Sequence, residues 1–265
     1  MSDEGKRTHW DAETYDRIGT PMRQWAQAVI DDLDLQGNET VLDAGCGSGS
    51  VTLDLLKKLP DGKIYAVDSS LQMITKLKKT LEEQKIDNVI AMQADLTKLQ
   101  LNEQVDVVFS NAVFHWIQDD DGLFGSLARC TKPGGRLRAQ CGGGANIRKL
   151  MAATREVEAR PPYNEHLRGR VEPRKYRSNE QAKVALERNG WKDARAETFP
   201  SDVTFDDEDH AVLYLKTIIL QQQAAALPEN LSDRFLRDVI AEVEARHGQP
   251  FVADYVRLDL WATRR

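Results

Sequence analysis

The chain has 265 residues, 41% of them hydrophobic and 29% charged, with a formal net charge of -6. This length and apolar content are enough to bury the core of an α/β domain with additions. The negative charge argues against nucleic acid or an anionic membrane as the partner, because both attract positively charged proteins. We therefore expect a small-molecule partner, an anion among the candidates, and leave the oligomeric state open.

Cysteine usage and the lack of long apolar runs indicate the cellular setting. The three cysteines, Cys46, Cys130 and Cys141, lack the paired spacing of a zinc site or a disulfide framework. None of the five histidines forms a ligand cluster with acidic residues, so we expect no metal. The first ten residues lack the apolar segment of a signal peptide, and no later run approaches the roughly 18 apolar residues of a membrane span. We expect a cytoplasmic protein.

The first predicted element in chain order is a helix over residues 15–35, with Pro21 near its start. Short apolar runs bounded by Gly, Asp and Asn then alternate with segments of helical spacing, which is typical of buried parallel strands joined by helices. The predicted strands are TVLDA, KIYAVD, NVIAMQAD, VDVVFSN and GRLRAQC, and the predicted helices are VTLDLLKKL, LQMITKLKKTLEEQ and LFGSLARC. Breaks at residues 60–62 and 132–135 end helices ahead of the strands that follow.

The second half of the chain is mainly helical in its periodicity. We predict helices over residues 147–159 and 179–190, a strand at 194–199, helices over 209–225 and 232–246, and a last strand at 255–262. A polar stretch rich in Pro and Arg separates the first two of these helices. The whole pattern predicts an α/β fold, with the helical additions on either side of the βα repeats.

A glycine-rich turn is the strongest functional signal. The run VLDAGCGSGS places Asp43, Gly45, Gly47 and Gly49 where a strand turns into a helix, and glycines there let the backbone approach a ligand closely. Nineteen residues after Gly49, Asp68 ends the next strand, where a carboxylate can accept hydrogen bonds from ribose hydroxyls. Together these features predict an adenosine site.

A dinucleotide site is the nearest rival. It requires G-x-G-x-x-G, whereas here the third glycine, Gly49, falls one position early and is followed by Ser50. Asp43 ahead of the turn also suits a cationic ligand better than a pyrophosphate. A nicotinamide-dependent oxidoreductase is our second hypothesis. The absence of a recognisable Tyr-x-x-x-Lys catalytic pair from this sequence disfavours it. A non-catalytic cofactor-binding scaffold is the third, because such motifs indicate binding and not turnover.

These motifs resemble those of the class I S-adenosylmethionine-dependent methyltransferases. The resemblance rests on specific motifs over about residues 10–145 and is looser from there to the C-terminus. The resemblance implies S-adenosyl-L-methionine as cofactor and a Rossmann-like, seven-stranded, mostly parallel sheet with helices on both faces and a helical cap. We expect one domain over 1–265, with a cofactor-binding core at about 36–145 and helical, substrate-facing additions at 1–35 and 146–250.

Three further segments, HWDAETY, SNAVFHWI and PFVADYVRLDLWATRR, are similar to the trans-aconitate methyltransferase branch of that class. That similarity implies O-methylation of a carboxylate on a small molecule. Methylation of a hydroxyl, nitrogen or carbon of a natural-product metabolite is the alternative within the class.

The resemblance also implies roles for individual residues. Asp95 would accept a hydrogen bond from the adenine amino group, unless it caps a helix, and Met73 would lie against the adenine ring, unless it is core. Trp10 and Tyr15 would close over the cofactor, unless they staple the first helix. Cofactor-binding residues by this resemblance are Trp10, Tyr15, Asp43, Ala44, Gly45, Gly47, Gly49, Asp68, Ser69, Met73, Ala94, Asp95, Leu96, Asn111 and Ala112.

The acceptor side is less defined by the sequence. A carboxylate acceptor is already ionised at neutral pH, so it requires orientation more than a strong base. His115 and Trp116 are candidates for lining its pocket, and His115 is the candidate catalytic base for a hydroxyl acceptor, or else a structural residue. The polar stretch at residues 166–177 contains Arg168, Arg170, Arg174, Lys175 and Arg177. A subset of them, with Arg168 and Arg170 as the candidates, could hold an anionic substrate through bidentate contacts, or the stretch is a solvated loop.

Overall fold

The structure is a computed structural model that describes residues 20–265, so Trp10 and Tyr15 lie outside the described residues. Its contacts divide the described chain into two compact units. The first, which we call the sheet unit, comprises Pro21–Asn146, Pro173–Phe199 and Val256–Arg265. The second, the helical unit, comprises Ile147–Glu172 and Pro200–Tyr255.

A seven-stranded sheet with the strand order β3-β2-β1-β4-β5-β9-β6 forms the centre of the sheet unit. Its strands are β1 (Thr40–Ala44), β2 (Lys63–Asp68), β3 (Val89–Gln93), β4 (Val105–Asn111), β5 (Thr131–Gly142), β6 (Trp191–Pro200) and β9 (Val256–Arg264). The first five strands pair in parallel, and β9 pairs antiparallel with β5. The prediction of a seven-stranded, mostly parallel sheet is therefore confirmed.

Both faces of this sheet are buried, as the continuous apolar strands predict. Alternate residues of one strand point to opposite faces, so Leu42 packs in one hydrophobic cluster and its neighbour Val41 in another. The first cluster includes Leu127 and the second includes Leu77, both from helices. Helices therefore cover both faces, as predicted.

Three helices of the sheet unit begin at polar residues whose side chains accept hydrogen bonds from free backbone donors. Ser70 Oγ accepts a hydrogen bond from Met73 N, and Asp119 Oδ1 accepts one of 2.9 Å from Gly122 N. Ser178 forms a capping box with Gln181. The helices of this unit are Thr20–Asp31, Ser50–Leu56, Leu71–Glu83, Asp120–Cys130 and Asn179–Arg188.

The helical unit holds the helices predicted over residues 147–159, 209–225 and 232–246, together with a short antiparallel ladder of β7 (Val203–Thr204) and β8 (Val252–Ala253). The helix predicted over residues 179–190 lies in the sheet unit instead. Its α-helices are Arg148–Glu158, Asn164–Leu167, Glu208–Tyr214, Gln221–Ala226 and Glu229–His247. Within residues 20–265, no helix has the length and apolar composition that crossing a bilayer requires. The same residues contain no group of three or more His, Cys, Asp or Glu side chains arranged to hold a metal ion.

Three local predictions differ from the structure. We expected residues 132–135 ahead of a strand, but β5 begins at Thr131 and includes them, with a register shift against β4 between Val105 and Val107. The predicted helix over 209–225 is interrupted by a π-helical segment, Leu215–Ile219. The polar stretch before residue 179 contains a short helix, Asn164–Leu167.

Candidate active site

The glycine turn follows β1, and packing within the protein restricts part of its backbone. Gly45 has φ of 92°, and a Cβ atom there would lie 2.1 Å from Val113 Cγ2. Gly47, with φ of 54°, is different, because a Cβ atom there would meet nothing within 4 Å. Gly45 is therefore required by a contact within the protein, whereas Gly47 borders open space where a ligand can approach the backbone.

Asp68 lies directly against this turn. Its Oδ2 accepts a hydrogen bond of 3.0 Å from Gly47 N, and its Oδ1 accepts one of 2.8 Å from Ser70 N. Burial raises the pKa of Asp68, although the backbone donors around it act in the opposite direction. Each carboxylate oxygen can accept more than one hydrogen bond, so the group can hold the turn and also receive ribose hydroxyls.

Asp43 lies beneath the turn, where its side chain is 2% exposed. Thr52 Oγ1 donates a hydrogen bond of 2.7 Å to Asp43 Oδ2. Burial, with a smaller contribution from the charge of Asp68, raises the pKa of Asp43 to about 7 against the effect of the Thr52 hydrogen bond. Two carboxyl groups beside one turn give this end of the sheet a negative potential when they ionise, which suits a cationic ligand.

The residues assigned to the adenine side gather next to Asp68. Ala94 N donates a hydrogen bond of 3.0 Å to Asp68 O, and Gln93 Nε2 donates one of 3.1 Å to Ser69 O. Asp95 Oδ1 accepts hydrogen bonds from both the backbone and the hydroxyl of Thr97, so Asp95 is the N-cap of a 3₁₀ turn. The capping alternative for Asp95 is thus present, and an adenine contact through its other oxygen stays a prediction.

The other two residues of the adenine side are buried. Met73 is 7% exposed in the helix Leu71–Glu83. Leu96 packs in the hydrophobic cluster that contains Leu42 and Ala44. Neither position by itself decides between a core residue and a wall of the nucleoside site.

The end of β4 provides a second polar group near the turn. Ser110 Oγ donates a hydrogen bond of 2.7 Å to Ala44 O, which ties the end of β4 to the end of β1. Asn111 Nδ2 donates to Met22 O, but the buried Asn111 Oδ1 has no hydrogen-bond partner within residues 20–265. Ala112 follows with φ of 61°, a left-handed conformation that is uncommon for a non-glycine residue and concentrates at functional sites.

His115 occupies a 3₁₀ turn, Phe114–Trp116, immediately beyond these residues. Its Nδ1 accepts a hydrogen bond of 3.2 Å from Gly142 N, and its ring lies 5.4 Å from that of Trp116 and 5.9 Å from that of Tyr176, centroid to centroid. Burial holds the pKa of His115 well below its usual value, and nearby arginines lower it further. His115 is therefore neutral at physiological pH.

The two predicted arginines, Arg168 and Arg170, belong to the helical unit, whereas His115 and Trp116 belong to the sheet unit. Arg168 and Arg170 are both exposed, and Arg170 Nη2 donates a hydrogen bond of 3.2 Å to Gln222 Oε1. A substrate role for the pair stays a prediction.

Two other arginines are buried near His115. Arg177 belongs to the basic stretch that the sequence analysis singled out, whereas sequence reasoning missed Arg257. Arg257, at the start of β9, is 2% exposed, donates from Nε to Gln140 Oε1, and stacks its guanidinium 4.1 Å above the Trp25 ring. Arg177 donates to the carbonyl oxygens of Phe114 and Ile117 at 2.7 Å each, so it fixes the turn that carries His115. An arginine between apolar residues of a strand, as in VRLDLWA, was the available signal for Arg257.

Comparison with known proteins agrees with this geometry. Residues 41–135 match the family described as "Methyltransferase domain". A trans-aconitate 2-methyltransferase of Azoarcus sp. (strain BH72) is 33% identical over 131 residues, which are 49% of this chain and 50% of that protein. A malonyl-[acyl-carrier protein] O-methyltransferase of Methylovorus sp. (strain MP688) is 29% identical over 245 residues, 88% of this chain and 78% of that protein.

Among solved structures, phosphoethanolamine N-methyltransferase 2 of Haemonchus contortus in complex with S-adenosyl-L-methionine superposes with a TM-score of 0.63 at 17% identity. The superposition covers 96% of this chain and 56% of that one, and at this identity it shows the shared fold alone.

A doubly wound sheet with a glycine turn tied to a strand-tip carboxylate is the architecture of the class I S-adenosylmethionine-dependent methyltransferases, and residues 41–135 belong to the methyltransferase domain family. The domain match and the relatives support S-adenosyl-L-methionine as the cofactor. The first of the curated relatives is matched over only about half of its length.

Proposed function

We propose that the protein transfers the methyl group of S-adenosyl-L-methionine to a carboxylate oxygen of a small-molecule acceptor. The observation that carries the cofactor half of this proposal is the hydrogen bond of 3.0 Å from Gly47 N to Asp68 Oδ2. It brings the open side of the glycine turn and a strand-tip carboxylate together, which is the arrangement that an adenosine ligand requires.

The residues present fit this cofactor. Gly47 offers backbone beside open space, and Asp68 offers two acceptor oxygens for ribose hydroxyls. Asn111 Oδ1, buried and without a partner among residues 20–265, is an acceptor suited to the ammonium of the methionine part. Asp43 beneath the turn, whose pKa burial raises to about 7, adds negative potential toward a cationic ligand when it ionises.

When bound, S-adenosyl-L-methionine supplies an electrophilic methyl group on a sulfonium. The protein's task is then to hold the acceptor oxygen in line and to exclude water. A carboxylate attacks with its own lone pair and releases no proton, so no base is required. The curated relatives, named for trans-aconitate and malonyl-[acyl-carrier protein], support an acid as the acceptor.

Calorimetry with S-adenosylhomocysteine tests the cofactor half. We expect micromolar-range binding to the wild type and a loss of affinity of tenfold or more, about 1.4 kcal/mol, in Asp68→Ala. Asp87→Ala is the matched control, because Asp87 is an exposed aspartate of the same unit. Equal affinity in the wild type and Asp68→Ala would contradict the assignment.

The acceptor half requires a transfer assay with methyl-labelled cofactor and a panel that includes trans-aconitate, malonyl thioesters, phenols and amines. A product whose label is released as methanol by mild alkali is a methyl ester, as we expect. An alkali-stable product would instead indicate methylation at a hydroxyl, nitrogen or carbon.

A further inference from the structure

His115 lies where β5 and β9 meet the cofactor residues at the end of β4. It follows Asn111 and Ala112 in the chain, and the backbone N of Gly142 holds its Nδ1. Gly142 is the register partner of Arg257 in the antiparallel pairing of β5 with β9. The imidazole of His115 is thus hydrogen-bonded to the residue of β5 that pairs with the buried Arg257 of β9.

This contact determines where the imidazole carries its proton. A ring nitrogen that accepts a hydrogen bond from an N–H has no proton of its own, so the neutral ring is protonated at Nε2. The described hydrogen bond of the ring is the one at Nδ1. Trp116 and Tyr176 lie against the ring, and Nε2 is the ring nitrogen that an acceptor would contact.

The charged groups around His115 favour its neutral form, with the proton on Nε2. Arg257 from β9 and Arg174 and Arg177 from the segment before the helix Asn179–Arg188 place positive charge near it. Cys141 in β5 is fully buried, and burial raises the pKa of its thiol to about 11, so it provides no negative charge. A second proton on the imidazole is therefore disfavoured, and an anion beside it is favoured.

We propose that His115 donates its Nε2–H to a carboxylate of the acceptor and that Arg257 supplies the positive charge that selects an anion there. This inference rests on the proposed function and assigns its acceptor subsite. His115 is then a specificity-determining hydrogen-bond donor and not a general base. A fixed neutral donor matches an acceptor that is already ionised, because no proton has to be removed.

Nitrogen-15 NMR of the histidine side chains tests the donor directly on full-length protein saturated with S-adenosylhomocysteine. We expect His115 to remain the Nε2–H tautomer from about pH 5.5 to 8. We also expect its Nε2–H signal to shift on addition of trans-aconitate and to stay in place with the uncharged trimethyl ester. A proton on Nδ1, a titration within this range, or an unresponsive Nε2–H would overturn the proposal.

Two variants separate donation from simple packing. His115→Gln keeps an N–H donor near the position of Nε2, whereas His115→Leu removes it. We expect the Kd for trans-aconitate to rise at least tenfold in His115→Leu, as for a lost hydrogen bond to a charged group, and less in His115→Gln. Equal Kd values in the two variants would overturn the donor role.

The same samples distinguish this failure from failure of the proposed function. Affinity for S-adenosylhomocysteine is expected to be unchanged in both variants. A wild type that does not bind S-adenosylhomocysteine would contradict the proposed function, whereas normal binding with a titrating His115 would contradict this inference alone.

Discussion

Thr52 Oγ1 donates a hydrogen bond of 2.7 Å to Asp43 Oδ2, and both side chains are buried beneath the glycine turn. A single hydroxyl does not replace the hydration that the carboxylate loses, so burial raises the pKa of Asp43 from 3.8 to about 7. The two residues therefore form a proton-binding element under the cofactor turn.

This element predicts a pH dependence of stability. The folded protein retains the Asp43 proton to a higher pH than the unfolded chain does, so this group lowers the free energy of unfolding as pH rises from about 4 to about 7. Asp43→Asn removes the titration and keeps an acceptor for Thr52. We expect the variant to gain stability relative to the wild type as pH rises, on the order of 4 kcal/mol at most.

Urea unfolding at about pH 5 and pH 8 measures this difference. Asp87→Asn serves as the control, because Asp87 is exposed and should follow the wild type. A constant difference between Asp43→Asn and the wild type at both pH values would show that Asp43 is ionised throughout.

Gly45 and Gly47 should respond differently to the same substitution. In Gly45→Ala, the new Cβ would overlap Val113, so we expect a loss of several kcal/mol of stability. In Gly47→Ala the cost is the left-handed backbone alone, about 1 to 2 kcal/mol, but the methyl group enters the open space beside the turn. We expect that variant to fold and to bind S-adenosylhomocysteine weakly.

Thermal unfolding and calorimetry on both variants decide the matter. The double variant Gly45→Ala with Val113→Ala should recover part of the stability, because it removes the overlapping methyl groups. Normal S-adenosylhomocysteine affinity in Gly47→Ala would mean that the open space is not the ligand side.

Arg177 and Arg188 offer a matched comparison of a buried and an exposed arginine. Arg177 is 1% exposed and pairs with Asp120 while it donates to the turn that carries His115, whereas Arg188 is 59% exposed and pairs with Asp121. We expect Arg177→Lys to cost about 3 kcal/mol, since buried carbonyl and carboxylate partners lose donors. Arg188→Lys should cost well under 1 kcal/mol.

The turn should also lose its position in Arg177→Lys. We expect weaker acceptor binding with S-adenosylhomocysteine affinity preserved, as measured by calorimetry for both ligands. Comparable stability losses in the two arginine variants would contradict the difference in burial.

Asn111→Ala tests the unpartnered oxygen at the end of β4. The substitution removes a buried acceptor that lacks a partner among the described residues, together with the donor to Met22 O, so we expect a change in stability of under about 1 kcal/mol. We expect S-adenosylhomocysteine affinity to fall about tenfold, the effect of one lost hydrogen bond to a charged group. An unchanged Kd would place the ammonium elsewhere.

The sheet and its cofactor end could be predicted because local sequence determines them. Short apolar runs form buried strands whatever lies around them, and the carboxyl ends of parallel strands meet at one edge, so Asp68 had to lie near the glycine turn. The hydrogen bond between Gly47 and Asp68 shows that the two residues lie together, whereas their binding of adenosine stays a prediction.

Features that depend on contacts between distant parts of the chain could not be predicted from the sequence. That Gly45 is required by Val113, or that Arg177 fixes a turn some 60 residues earlier, depends on packing between distant segments. The burial of Arg257 was not predictable from its strand, because charge on a strand usually faces water. The interruption at Leu215–Ile219 was missed since its residues have ordinary helical composition.

The place of β9 between β5 and β6 has a consequence for how the sheet is completed. β6 joins the sheet only through β9, although β6 precedes it in the chain by more than 50 residues. During synthesis, β6 therefore cannot pair with the sheet until residues 256–264 have emerged from the ribosome and formed β9. Pairing of such long sequence separation is slow, so this margin is where chaperone dependence and misassembly should concentrate.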